Sequence, residues 1–191
     1  MAARDCGERL LELGREHKLV QYRAIGAIVH GWAVTNLGDW GEGLAELRSA
    51  IAAYGEISSF MLDLFSALLI EAELAADNFE EAAVVEKADN IKGVWWRPEL
   101  LRMRGELQTS APNGDRAAAE SSYLESIAAA KSQEARSLEL RAATGLARLW
   151  RDQGKPQQAH ELLAPVYGWF TEGFDTRDLK EAKALLDELH A

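Results

Sequence analysis

Small residues recur along this chain at a spacing that points to stacked helix pairs. Gly43, Ala82, Ala119 and Ala159 fall 39, 37 and 40 residues apart. Trp40 and Phe79 stand three residues before the first two of them, and Pro156 three before the last. Nine residues ahead of Trp40, Phe79 and Pro156 lie Gly31, Ile70 and Ala147, each inside an apolar stretch of helical pattern. Periods of this length are those of helix-pair repeats, in which each unit buries its apolar face only against its neighbours. The expected fold is therefore all-α, an α-solenoid of antiparallel helix pairs. Such a fold offers a surface for interaction more readily than a site for chemistry.

Composition agrees. A length of 191 residues suits a single domain spanning the chain, and an apolar fraction of 48% suits a packed core. Ala, Leu and Glu abound while β-branched residues are scarce, which favours helix at most positions. The balance of 21 basic against 31 acidic residues leaves a net charge of −10, which repels phosphate backbones and anionic lipid. Neither nucleic acid nor membrane is an expected partner. Leu19–Val34 carries Arg23 and His30, and Leu62–Ile70 is too short to span a bilayer. Met1–Glu8 is charged and lacks the apolar run of a signal peptide, so a cytoplasmic location is expected. Cys6 is the single cysteine, which leaves no internal disulfide and no thiolate metal cluster.

Periodicity and helix-stop signals divide the chain into about ten helices, with units near 20–55, 58–91, 97–132 and 135–170 and a capping helix at 176–189. Arg4–His17 precedes the first unit. Gly38 ends the helix Tyr22–Leu37, Ser58 or Ser59 can cap Phe60–Ala76, and Asp77-Asn78 turns into Phe79–Ile91. Pro98 opens Glu99–Gln108, where a missing N–H costs nothing. Thr109–Asp115 is the clearest loop, and Arg116–Lys131, Ala135–Asp152, Pro156–Phe170 and Asp178–Leu189 complete the series.

Small residues let helix axes approach to about 8–10 Å, and a bulky side chain one turn away fills the adjoining groove. The first unit reads Gly31, Trp40, Gly43, Leu47, Ala50; the second departs at Glu86 and Asp89; the third keeps Gly105, Ala119 and Tyr123; the fourth shows Ala147, Gly154, Pro156, Ala159 and Leu163. This order resembles the tetratricopeptide repeat (TPR). Leu138–Leu189, together with "GWAVTNLGDWGEGLAELRSAIAAYG" and "WWRPELLRMRGELQ", is similar to the C-terminal repeat region of bacterial signalling proteins that carry adenylate or guanylate cyclase and AAA-ATPase domains. The resemblance implies a right-handed solenoid. It does not carry over cyclase or ATPase activity, because no such segment is present among these residues.

The resemblance also implies that the first helix of each pair lines a concave groove. With Gly31, Ile70, Gly105 and Ala147 equivalent, Trp32, Glu71, Glu106 and Arg148 follow them into that groove, flanked one turn away by Ile28, Thr35, Ala67, Leu74, Arg102, Thr109, Thr144 and Arg151. The candidate partner-binding set is Trp32, Asn36, Glu71, Arg102, Glu106, Arg141, Arg148 and Arg151. Arginine forks suit a carboxylate or an acidic peptide. The competing reading pairs the same arginines within the chain, to Glu99, Glu106, Glu139 or Asp152. Trp95-Trp96 has two readings as well, a ligand anchor or ordinary helix packing.

No catalytic, metal or cofactor site is expected. Gly41-Glu42-Gly43 lacks the lysine of a phosphate loop, and His17, His30, His160 and His190 have no metal-ligand spacing. Cys6 sits between Asp5 and Glu8, which disfavours a thiolate. The expected function is a non-catalytic scaffold that binds a protein or peptide. The alternative is an effector-sensing C-terminal module of a cyclase- or ATPase-type signalling protein. Arg4–His17 reads as a second helix without its first member, so an uncovered apolar edge at Leu10, Leu11 and Leu13 is expected there. Either preceding sequence covers that edge or two copies pair through it.

Overall fold

A single backbone device reverses the chain at five of the joints between helices. The computed structural model describes residues 2–86 and 95–190, and these form only helices, turns and bends. In order they are α1 (Ala2–Glu16), α2 (Val20–Asn36), α3 (Trp40–Gly55), α4 (Leu62–Ala75), α5 (Phe79–Glu86), α6 (Arg97–Ser110), α7 (Arg116–Ser132), α8 (Arg136–Asp152), α9 (Pro156–Tyr167) and α10 (Arg177–Leu189).

At the five joints, Lys18, Gly38, Asp77, Glu134 and Gly154 take φ values between 56° and 103°. The next N–H in each case returns to a carbonyl five residues back: Leu19 to Gly14, Asp39 to Val34, Asn78 to Glu73, Ala135 to Ala130 and Lys155 to Trp150, at 2.9–3.3 Å. The left-handed residue's own N–H returns to the carbonyl three residues back. This is the Schellman closure, which satisfies carbonyls that a helix end leaves unpaired and stops the helix within one residue. The expected stop at Gly38 and turn at Asp77-Asn78 are both of this kind.

Other ends follow local chemistry. The Asp39 carboxylate accepts from the Glu42 N–H at 3.3 Å, and that of Asp115 accepts from the Ala117 and Ala118 N–H groups at 2.9 and 3.0 Å. Pro98 and Pro156 occupy first turns. Several expected boundaries move, four of them where local contacts can be named. Ser58 accepts from the Phe60 N–H inside the turn, so α4 starts only at Leu62. Thr109 and Ser110 belong to α6, because the Thr109 hydroxyl bonds the Gly105 carbonyl at 2.7 Å and follows the helix. α9 stops at Tyr167, two residues beyond Pro165. α10 starts at Arg177, and Thr176 donates its hydroxyl to the Gly173 carbonyl at 2.7 Å instead of capping the helix. The far end of the expected helix Phe79–Ile91, with Asp89, lies outside the described residues.

The chain divides into two compact units, Met1–Gly93 and Val94–Ala191. In the first, consecutive helices pack from α1 to α5 and α2 also packs on α4. Ile28, Leu47, Tyr54, Phe65 and Leu69 centre its core, with the Tyr54 and Phe65 rings edge-to-face at 4.8 Å. In the second, consecutive helices pack from α6 to α10, and α8 lies against both α6 and α10. Its core gathers Tyr123, Leu140, Leu146, Leu149, Leu163, Leu179 and Leu185. The small residues that set the spacing, Gly43, Ala82, Ala119 and Ala159, are all buried.

α2 and α3 meet backbone to backbone. A methyl group on Gly43 would lie 2.5 Å from the Thr35 nitrogen, and one on Gly31 would lie 2.9 Å from that of Leu47. The same closeness seats α1 on α2 through the buried Gly7 and Gly14. Leu10, Leu11 and Leu13 are consequently half-buried, and the exposed apolar side chains of this region are Leu19, Val20 and Tyr22 at the start of α2. Ile28, Thr35, Ala67 and Thr144, expected on the groove wall, are buried between helices. The Thr35 and Thr144 hydroxyls are spent on the Gly31 and Leu140 carbonyls of their own helices, both at 2.8 Å.

Two glycines on α3 separate close packing from propensity. Gly41 has open space where a methyl would go, whereas Gly43 does not. Gly41→Ala is expected to raise stability by about 0.5–1 kcal/mol through reduced chain entropy. Gly43→Ala is expected to lower it by about 1–3 kcal/mol through overpacking. Urea denaturation of the two variants beside the parent reads both signs.

Candidate functional site

Five of the eight candidate residues lie on α6 and α8, and the structure brings each of these charges to a partner within the chain. Arg102 sits between Glu99, one turn before it, and Glu106, one turn after. Its Nη2 donates to Glu99 Oε1 at 2.9 Å and its Nη1 donates to Glu106. Burial works against the guanidinium charge, but Glu99 and Glu106 outweigh it, so Arg102 holds its proton more tightly than an ordinary arginine. Arg141 reaches the same Glu99 oxygen from α8 at 2.7 Å and lies 3.9 Å from Asp178 of α10. Glu99 Oε2 is buried with no hydrogen-bond partner, so this carboxylate is held entirely through Oε1.

Further along α8, Arg148 donates to Glu181 at 2.7 Å, and Arg151 donates to Glu188 at 2.7 Å and to Asp152 at 2.9 Å. The hydrogen bond from Arg148, joined by one from Arg177, holds the Glu181 carboxyl below its usual range. The bond to Asp152, backed by Glu188, raises Arg151. The pairs Arg141–Asp178, Arg148–Glu181 and Arg151–Glu188 ascend together along both helices, as two helices running parallel require. The Arg148–Glu181 pair remains wet, its side chains 45% and 36% exposed. The competing intrachain reading is thus realised at Glu99, Glu106 and Asp152. Glu139 pairs instead with Arg136 at 2.7 Å and Lys131 at 3.7 Å.

Tyr123 enters this wall from behind. It projects from α7 into a slot made by two glycines: a methyl on Gly105 or Gly145 would lie 3.0 or 2.6 Å from its ring. Burial, reinforced by the Glu106 charge, pushes its phenol up to about 12, with a hydrogen bond to Thr109 acting in the opposite sense.

The remaining candidates are in the first unit. Trp32 is half-buried on α2, and its indole N–H is buried with no hydrogen-bond partner. Asn36 is exposed at the end of α2, where its amide donates to the Trp32 carbonyl at 2.8 Å. Glu71 is half-buried on α4. Trp95 is 84% exposed and Trp96 half-buried.

Two features of the first unit were not among the candidates. Glu73 of α4, its side chain 1% exposed, accepts from Arg48 Nε and Nη2 of α3 at 2.6 and 2.8 Å and from the Asn78 amide at 2.9 Å. His30 of α2 stands 2.7 Å from Glu46 of α3 and 3.7 Å from Glu8 of α1. Among the described residues, no group of three or more His, Cys, Asp or Glu side chains is arranged to hold a metal ion, and no helix is long and apolar enough to cross a membrane. No protein-family model matches the chain, and no curated protein matches it.

The Tyr123 slot has a spectroscopic signature. The folded chain keeps the phenolic proton up to about pH 12, whereas the unfolded chain loses it near 10. Stability from this group is complete below pH 10 and falls by about 1.4 kcal/mol per pH unit above it, until the folded phenol also ionises. Near-ultraviolet titration of phenolate should show a step near pH 12, and Tyr123→Phe should remove it.

Proposed function

We propose that the chain is a non-catalytic repeat module that holds a protein or peptide against the face formed by the even-numbered helices of a unit. In this reading each unit is a stretch of right-handed α-solenoid of the TPR kind. The even-numbered helices are the first members of their pairs, and α1 is a second member. The support is the packing order. α2 meets α4, α6 meets α8 and α8 meets α10, while within each unit no odd-numbered helix meets the next odd-numbered one among the described residues. Pairs stacked this way close together on the even side and splay on the odd side, which makes the even face concave.

The observation that carries the reading furthest is the row of part-exposed pairs between α8 and α10. Surface ion pairs contribute only about 0–1 kcal/mol each. A carboxylate of an acidic partner segment can therefore replace Glu181 or Glu188 at little cost and take the arginine fork bidentately. The net charge of −10 disfavours nucleic acid and anionic lipid, which is consistent with a cytoplasmic protein-binding role. The resemblance to repeat regions of bacterial cyclase- and ATPase-linked signalling proteins supports the same class of module, with effector sensing as its variant.

A photo-crosslinking residue placed at Arg148, on the even face, and separately at Gln157, on α9, tests the reading in the native host. Capture of one partner from position 148 and none from 157 is the expected result, with Arg151→Glu in addition weakening capture. Capture from 157 alone, or from neither position, contradicts it. A melting temperature that rises with concentration for a small metabolite, without protein capture, would favour the effector-sensing variant instead.

A further inference from the structure

Away from the even face, the first unit carries a cleft of about 520 Å³ between the start of α3 and the end of α4. Its volume lies in the range of small-molecule sites, about 300–1,000 Å³. One wall is a single stripe of α3, in which Trp40, Leu44 and Arg48 recur every fourth residue; the other is the α4–α5 turn from Ala75 to Asn78. Trp40, on this wall, is 39% exposed.

The electrostatics of the cleft select a sign. Arg48 is the cation in the wall, and the bidentate bond to buried Glu73 occupies its fork. That bond raises the arginine's proton affinity and turns its fork toward Glu73. Asp77 then stands in the wall without a compensating charge on the same wall, Glu81 lies close enough to act on Arg48, and Asp39 immediately precedes Trp40. The carbonyl end of α4, at Ala75 and Ala76, puts the negative pole of a helix dipole here; the starts of α3 and α5 put positive poles beside it, answered by the Asp39 cap and by Glu80 and Glu81 in the first turn of α5. An indole face beside surplus negative charge is the surroundings that an organic cation seeks.

We propose that this cleft binds a small organic cation, an ammonium group on an apolar body, with Trp40 and Leu44 receiving the body and Asp77 the charge. The positive φ of Asp77, 59°, belongs to the helix-stopping turn, and this turn forms the wall facing α3. The same chemistry is presented by a free amine and by a lysine side chain.

Titration of ¹⁵N-labelled protein with benzyltrimethylammonium tests the site, with N-acetyl-lysine amide as the side-chain mimic and phenylacetate as the anionic counterpart. The indole N–H of Trp40, assigned by its loss in Trp40→Phe, and the Asp77 amide should shift saturably with the ammonium compounds and stay still with phenylacetate. The stronger of the two ammonium probes identifies the source. Trp40→Ala should weaken binding roughly two- to fivefold. Asp77→Asn, a change that the left-handed backbone tolerates, should weaken it while leaving the spectrum dispersed. Added salt should weaken it too. The absence of a saturable shift at millimolar probe, equal shifts with phenylacetate, or unchanged binding in Asp77→Asn would overturn the proposal.

Discussion

The rest of the structure depends on a helix stop one residue long. Where Lys18, Gly38, Asp77, Glu134 or Gly154 turns left-handed, the next N–H closes back onto the finished helix and the following residues begin a new one. So short a joint leaves the second helix no path except back along the first, in contact with it. The side chains that face this contact must then be small where the backbones cross and large between crossings. Gly31 against Gly43, and Ala147 and Ala159 at full burial, meet the first requirement. Tyr54, Leu47, Leu146 and Leu163 meet the second.

Buried charge adds register to this packing. Glu73 and Glu99 are both almost wholly removed from water, and each is held by arginine from a neighbouring helix. Such pairs contribute little net stability, because desolvation consumes most of the attraction. Removing one partner is a different matter, since the other charge then stays buried alone. Arg48 fixes α3 against α4 in this way, and Arg141 fixes α8 against α6. A slide by one turn along either contact would strand a carboxylate. We assign these two pairs to alignment of the stack, and the wetter pairs on α8 and α10 to exchange with solvent or a partner.

Much of this was legible in the sequence, and the omissions have physical causes. Helix order and most boundaries could be read because apolar spacing and proline or glycine punctuation report helix length directly. Gly38 was expected to stop a helix and Asp77-Asn78 to turn the chain, but Lys18 and Glu134 gave no signal, since a non-glycine residue in that conformation leaves no mark on composition. Glu181 and Glu188 were not among the candidates, because their pairing with Arg148 and Arg151 becomes visible only once α8 and α10 are known to be neighbours. Glu73 was hidden for the same reason: Arg48 lies 25 residues away, and nothing local distinguishes a buried carboxylate from an exposed one. Thr35 and Thr144 were misplaced because a threonine that bonds its own helix carbonyl can be buried where its polarity suggests exposure.

The recurrent stop is open to direct observation by amide hydrogen exchange. The N–H groups of Leu19, Asp39, Asn78, Ala135 and Lys155 close the five turns and should exchange far more slowly than free amides in the α9–α10 connection. Protection at all five is the expected result. Exchange at the unprotected rate across the set would mean that the helices are not reversed by this device, and the packing built upon it would fall with it.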